Sequence, residues 1–190
     1  MEFIDKSHII VMKAGAYTDY NLEEIIEIKQ AEERIVGFFF WGYGGVFCRP
    51  TAVNSFVAHA RLFNKVPSVY FSETSSSYTT SKFGKFTEFS IDQVNWTSLP
   101  KEVLLVGNIQ APHFAIVARN LKRIDAEINL NDYCSFRGML PDPNKYLKDY
   151  FKYRVDKACG FYLPKEDVKR YAITITYACE LVDPCCVYVR

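Results

Sequence analysis

A chain of 190 residues and 22.0 kDa with 49% hydrophobic residues is long enough to bury a core as one globular domain and too apolar for disorder. A formal net charge of +1 removes the electrostatic case for a nucleic-acid polymer or an anionic membrane as partner. No apolar run approaches the roughly 20 residues that cross a bilayer, and MEFIDKSHIIVMK lacks the basic start and long apolar stretch of a signal peptide, so a cytosolic protein is expected.

In chain order, HIIVMKAG predicts a strand from His8 to about Met12 that stops near Gly15. A helix follows from Asn21, where Asn21 and Glu24 have capping-box spacing and Leu22, Ile25, Ile26 and Lys29 keep helical period. Val36 to Trp41 reads as a strand buried on both faces. Arg49-Pro50 opens a second helix, with Val53, Phe56, Val57, Ala60 and Phe63 on one face. Strands are then predicted over 68–72, 85–91, 102–107 and 114–124. A third helix is expected to open at Asp142-Pro143 and to run through KYLKDYFKYRVDKA. The chain closes with alternating YAITITYACEL, which reads as one arm of a hairpin turning at Asp183-Pro184 and returning through CCVYVR. Strands cluster late without alternating helices. The expected fold is therefore α+β: one domain over 1–190, a mainly antiparallel β-sheet and about three helices.

FFFWGYGG, Phe38 to Gly45, carries the strongest hint of a site. Glycines let backbone N–H groups approach an anion and permit positive φ, and Arg49 at the second helix adds positive potential. Trp41 and Tyr43 would wall a pocket, and Gly42, Gly44 and Gly45 would floor it. No G-K-[ST] follows, which excludes a P-loop. The second candidate is SETSSSYTTSKFGK, where Ser or Thr fills eight of the first ten positions. Its hydroxyls at Thr74, Ser75 and Ser76, with Lys82, suit a phosphate or a ribose; a solvated loop is the alternative. The aromatic share, 16%, would suit stacking on a base.

Six cysteines, Cys48, Cys134, Cys159, Cys179, Cys185 and Cys186, show no C-x-x-C spacing, so neither a metal site nor a cofactor is expected, and they read as free thiols. No H-E-x-x-H or G-x-S-x-G is present. Cys48 with His113 or His59 is the only nucleophile–base pairing the sequence offers. If the protein were an enzyme, Glu73 beside the hydroxyl loop would be the acid or base.

KAG, FWGYGGVFCRP, FSETSSS, FSIDQVNW and YRVDKAC together resemble a group of bacterial and phage proteins. That resemblance covers most of the chain and implies a prokaryotic or phage source and one domain, but no reaction. Locally, WGYGGVFCRP and the helix and strand up to Phe71 resemble the gamma-glutamylcyclotransferase-like fold. There a Y-G-S/T-L turn holds a glutamyl carboxylate on backbone amides. Gly45 stands where that family has Ser or Thr, and Glu73, Glu88 and Glu102 compete for its catalytic Glu. Thr74, Ser75 and Lys101 to Leu105 resemble pieces of ADP-ribosyltransferases, although Arg137-Gly138 falls in the wrong order for them.

The function expected from these readings is a non-catalytic binder of a nucleotide-like, anionic small molecule. One version sequesters a cyclic-nucleotide or ADP-ribose-type immune signal. The alternatives are a gamma-glutamylcyclotransferase-like enzyme and a protein-interaction module, most simply a homodimer.

Overall fold

The computed structural model describes residues 6–17, 19–45, 47–75, 82–111, 113–137, 140–151 and 156–190, without the side chain of Arg137. The first half alternates strands and helices: β1 (His8–Ala14), α1 (Leu22–Val36), β2 (Phe39–Tyr43), α2 (Pro50–Leu62) and β3 (Ser68–Glu73). Short strands follow: β4 (Phe83–Lys85), β5 (Glu88–Ser90), β6 (Thr97–Ser98) and β7 (Val106–Asn108). The second half contributes β8 (Phe114–Asn129), β9 (Tyr133–Arg137), β10 (Leu140–Tyr146), α3 (Leu147–Phe151), β11 (Lys157–Tyr162) and β12 (Ala172–Val189).

Ten of these strands form one sheet. Its main path is β10-β9-β11-β1-β3-β12, and β12 also pairs with β8, which pairs with β2. Only β1 and β3 run parallel among the paired strands; every other ladder is antiparallel. The α+β class expected from the sequence is what the chain forms.

Period-2 alternation sorts the core. Ile10, Met12 and Ala14 of β1, Phe39 of β2 and Phe114, Ile116 and Ala118 of β8 face one side, where Ile26 of α1 and Val53, Phe56 and Val57 of α2 pack on them. Ile9 and Val11 face the other side, under Leu147 and Phe151 of α3. Phe40, Ala115 and Val117 also face that other side, under Phe86, Leu99, Val103 and Leu105.

Both long helices start as read. Asn21 and Glu24 form the reciprocal capping box, and Pro50 takes the first position of α2. Gly37, at φ 85, ends α1 in the left-handed conformation, which an L side chain adopts at a cost; strand β2 therefore begins later than the apolar run does. Phe63, expected on the buried face of α2, is its C-cap and is 55% exposed.

Four expectations need correcting. The run expected as a strand over 102–107 is strand only from Val106, and that over 85–91 divides between β4 and β5. Leu140–Tyr146 is an edge strand with a register shift between Asp142 and Tyr146, not a helix start. Asp142 accepts from the Asn144 N–H, so Asp-Pro-Asn makes a turn of its own kind. The helix begins only at Leu147, where the Asp149 carboxylate accepts the Tyr146 N–H. The closing segment is not a hairpin either. Asp183–Pro184, a cis peptide, lies in a register shift between Leu181 and Cys186, and the strand on both sides of it pairs antiparallel with β8.

Candidate functional site

A cavity of about 530 Å³ opens where β1 and β2 leave the sheet, a size that suits a small-molecule ligand. Its walls are the end of β1 from Met12 to Gly15, the face of α1 carrying Ile25, Ile28 and Lys29, and the 104–108 segment through β7. Trp41, Gly42, Tyr43, Gly44 and Gly45 line it from β2 and the following turn, and Asp156 and Lys157 line it from the start of β11.

The local sequence explains the wall. Phe39, Trp41 and Tyr43 alternate onto one face of β2; Phe39 is fully buried and the two larger rings are half-buried. Trp41 packs against Phe71 with ring centroids 4.5 Å apart. Gly42 faces the other way, where a Cβ would come within 2.7 Å of Leu105 Cδ1, so glycine is what permits the 104–108 segment to approach β2. Gly45 has φ 96 and turns the chain toward α2. Phe86 and His113 also line the cavity, their rings tilted by 44° with centroids 4.3 Å apart, and burial pushes the His113 pKa down.

Tyr43 contributes its ring rather than its hydroxyl. The Oη donates to the Cys48 carbonyl at 2.6 Å and touches Cys186 Sγ at 3.0 Å. Burial, with the neighbouring Cys186, raises its pKa well above the ordinary value.

Three lysines line the cavity, Lys13, Lys29 and Lys157; Lys13 Nζ lies 5.6 Å from the Phe151 ring centroid. Lys29 Nζ donates to Glu32 Oε1 at 2.8 Å and to the Leu104 carbonyl at 2.7 Å, and Glu32 Oε1 also accepts the Leu104 N–H at 2.8 Å. This pair stitches α1 to the cavity wall, with Glu32 bonding through Oε1 alone; among the described residues Glu32 Oε2 is buried without a hydrogen-bond partner. Lys157 differs. Its Nζ donates to the Gly44 carbonyl at 3.1 Å and sits 5.5 Å from the Tyr43 ring centroid. Among the described residues no carboxylate lies within ion-pair distance of it. Burial pushes its pKa below the ordinary 10.5, partly offset by Asp156 and Cys48. A desolvated ammonium with one neutral acceptor has unused donors and favours an anion beside it.

The structure brings together Trp41, Gly42, Tyr43, Gly44 and Gly45 as expected. Arg49 is the exposed N-cap residue of α2 and does not line the cavity, nor do Thr74, Ser75 or Lys82. The Thr74 N–H donates to the Ala14 carbonyl at the cavity's edge. Ser76 lies outside the described residues. Glu73 is exposed at the end of β3, and Glu88 pairs with Arg190. His59 Nδ1 bonds His8 Nε2 at 2.9 Å, and Cys48 Sγ faces Cys159 Sγ at 3.8 Å, so the nucleophile–base pairings read from the sequence are not assembled. The residues that reading missed are Lys157, Lys29 and the Leu104–Val106 wall. Lys157 was hidden by taking its strand for the end of a helix.

No group of His, Cys, Asp and Glu among the described residues has metal-holding geometry, and no helix among them is long and apolar enough to cross a membrane. No protein-family model, curated protein or solved structure matches the chain.

Proposed function

We propose that the protein is a small-molecule binder with no chemistry of its own, and that it holds a nucleotide-like ligand with a flat body and an anionic end. The observation that carries this reading is Lys157. Its ammonium is desolvated at the wall of an aromatic cavity, bonded to one carbonyl and within ion-pair distance of no described carboxylate, although Asp156 acts on it from farther off. The flat part of the ligand lies against Trp41, and the anion meets Lys157 at the glycine turn. Sequestration of a cyclic-nucleotide or ADP-ribose-type signal is the specific form of this proposal. Nothing favours the gamma-glutamylcyclotransferase-like alternative, because Glu73, Glu88 and Glu102 all lie outside the cavity lining.

The test is a thermal-shift panel of nucleoside monophosphates, cyclic dinucleotides and ADP-ribose beside uncharged nucleosides. At 100 times Kd a ligand specific for the folded state adds about 2.7 kcal/mol, so an anionic member should raise Tm by several degrees while its uncharged counterpart does less. No shift from any anionic member at millimolar concentration would overturn the reading.

A further inference from the structure

Beneath the glycine turn, two thiols from distant parts of the chain meet. Cys48 sits between β2 and α2 at φ 55, and Cys159 lies in β11 opposite Ile10. Their Sγ atoms are 3.8 Å apart, and both residues are otherwise buried. A second, small cavity of about 30 Å³ is lined by both of them, with Phe47 and Ser135 beside them. That volume admits a molecule of the size of water beside the pair.

We propose that Cys48 and Cys159 are an oxidisable dithiol, cross-linked by small hydroperoxides, and that the cross-link remodels the ligand cavity above it. Cys48 attacks the peroxide oxygen as its thiolate. The O–O bond breaks, the distal oxygen leaves as water or alcohol after taking up a proton, and Cys48 becomes a sulfenic acid. Cys159 sulfur then attacks Cys48 sulfur, the S–S bond forms, and the hydroxyl leaves as water with the Cys159 proton. Two thiols are oxidised by two electrons and one peroxide is reduced.

The order of attack follows from the surroundings. Cys48 lies in the turn between β2 and α2, outside the ladder that holds Cys159 against β1, which suits the attacking position. The hydrogen bond with Cys48 and burial both hold the Cys159 thiol well above its ordinary pKa, which suits the resolving partner. Closing from 3.8 Å to the roughly 2.05 Å of a disulfide must move the turn or the strand. Either movement reaches the cavity. The Cys48 carbonyl anchors the Tyr43 hydroxyl, and Lys157, two residues before Cys159, points to the same face of β11. The regulatory half of the proposal rests on the ligand reading above; the cross-link does not.

The experiment treats the reduced, folded protein with hydrogen peroxide and maps peptides without reduction, while following the fluorescence of bound anilinonaphthalene sulfonate, an aromatic monoanion. The expected result is a Cys48–Cys159 linked peptide, absent from Cys159→Ser and retained in Cys134→Ser. Probe binding should weaken at least severalfold on oxidation and recover with dithiothreitol. Peroxide-treated protein that carries Cys48 as thiol or sulfinic acid without the linked peptide would overturn the cross-link. A linked protein that binds the probe as well as the reduced form would overturn the regulation alone. A reduced protein that binds no probe would count against the ligand reading and remove the regulation with it, and the peptide map would still decide the cross-link.

Discussion

The Lys157 ammonium donates to the carbonyl of Gly44 at 3.1 Å across 113 positions of sequence, joining the start of β11 to the turn that ends β2. This bond places a desolvated cation of the cavity wall beside the Tyr43 ring, and the functional reading depends on it.

Replacing that cation should separate binding from stability. Lys157→Met keeps the aliphatic stem and removes a desolvated charge, so Tm should hold or rise. Anionic ligands should lose a charge-assisted hydrogen bond worth about 1.5–3 kcal/mol, an affinity loss on the order of tenfold to a hundredfold. Calorimetric titration with parallel melting curves checks both halves. In the wild type, anion binding should weaken as pH rises through the Lys157 pKa, which burial sets below 10.5.

Gly42→Ala tests the cavity wall by steric means. The new Cβ would stand 2.7 Å from Leu105 Cδ1. Leu105 also lines the cavity, so its displacement changes the cavity wall. The expected result is a modest stability cost, about 1–3 kcal/mol for an overpacked site, with weaker ligand binding. Denaturant midpoints and ligand titrations read the two effects separately.

The Lys29–Glu32 pair is structural. The two residues are only 5% and 1% exposed, and Glu32→Ala would leave the ammonium buried without its counterion. Breaking a buried pair from one side costs about 3–5 kcal/mol, to be measured by urea unfolding. Lys29→Met combined with Glu32→Ala should cost less than Glu32→Ala alone, because the stranded charge is gone.

The His8–His59 hydrogen bond at 2.9 Å requires at least one ring to be neutral. Burial lowers the His59 pKa below 6.5, so the unfolded chain binds the proton more readily than the folded one. The associated stability is therefore present above pH 6.5 and is lost as pH falls through the folded value. His113 shifts in the same direction, so the wild type is compared with His59→Leu. The fall in Tm from pH 7 to pH 5 should be smaller in the variant.

Much of this architecture is legible in local chemistry. The Asn21–Glu24 box, Pro50 and the apolar period of both helices act within a few residues, and apart from Phe63 the structure uses them as read. The alternation from Tyr171 onward marks a strand, but not that it passes through Asp183–Pro184. Only the partner strand shows that, since Ala172 pairs with Asn129 and Tyr188 with Phe114 on one β8. The 142–157 segment misleads because, among the described residues, its helical period is real over Leu147 and Phe151 alone, while the strand carrying Lys157 is held by its ladder to β1. The same holds for the site. Trp41 to Gly45 announce themselves by composition, whereas Lys157 reaches them only through sheet topology.

Native mass spectrometry of the protein purified from its source, compared with its denatured mass, tests the central claim most directly. A non-covalent adduct of an anionic small molecule on the folded wild type, absent from Lys157→Met prepared identically, is the predicted result. A folded wild type carrying the same adduct as Lys157→Met, or showing none even after incubation with the nucleotide panel, would contradict it.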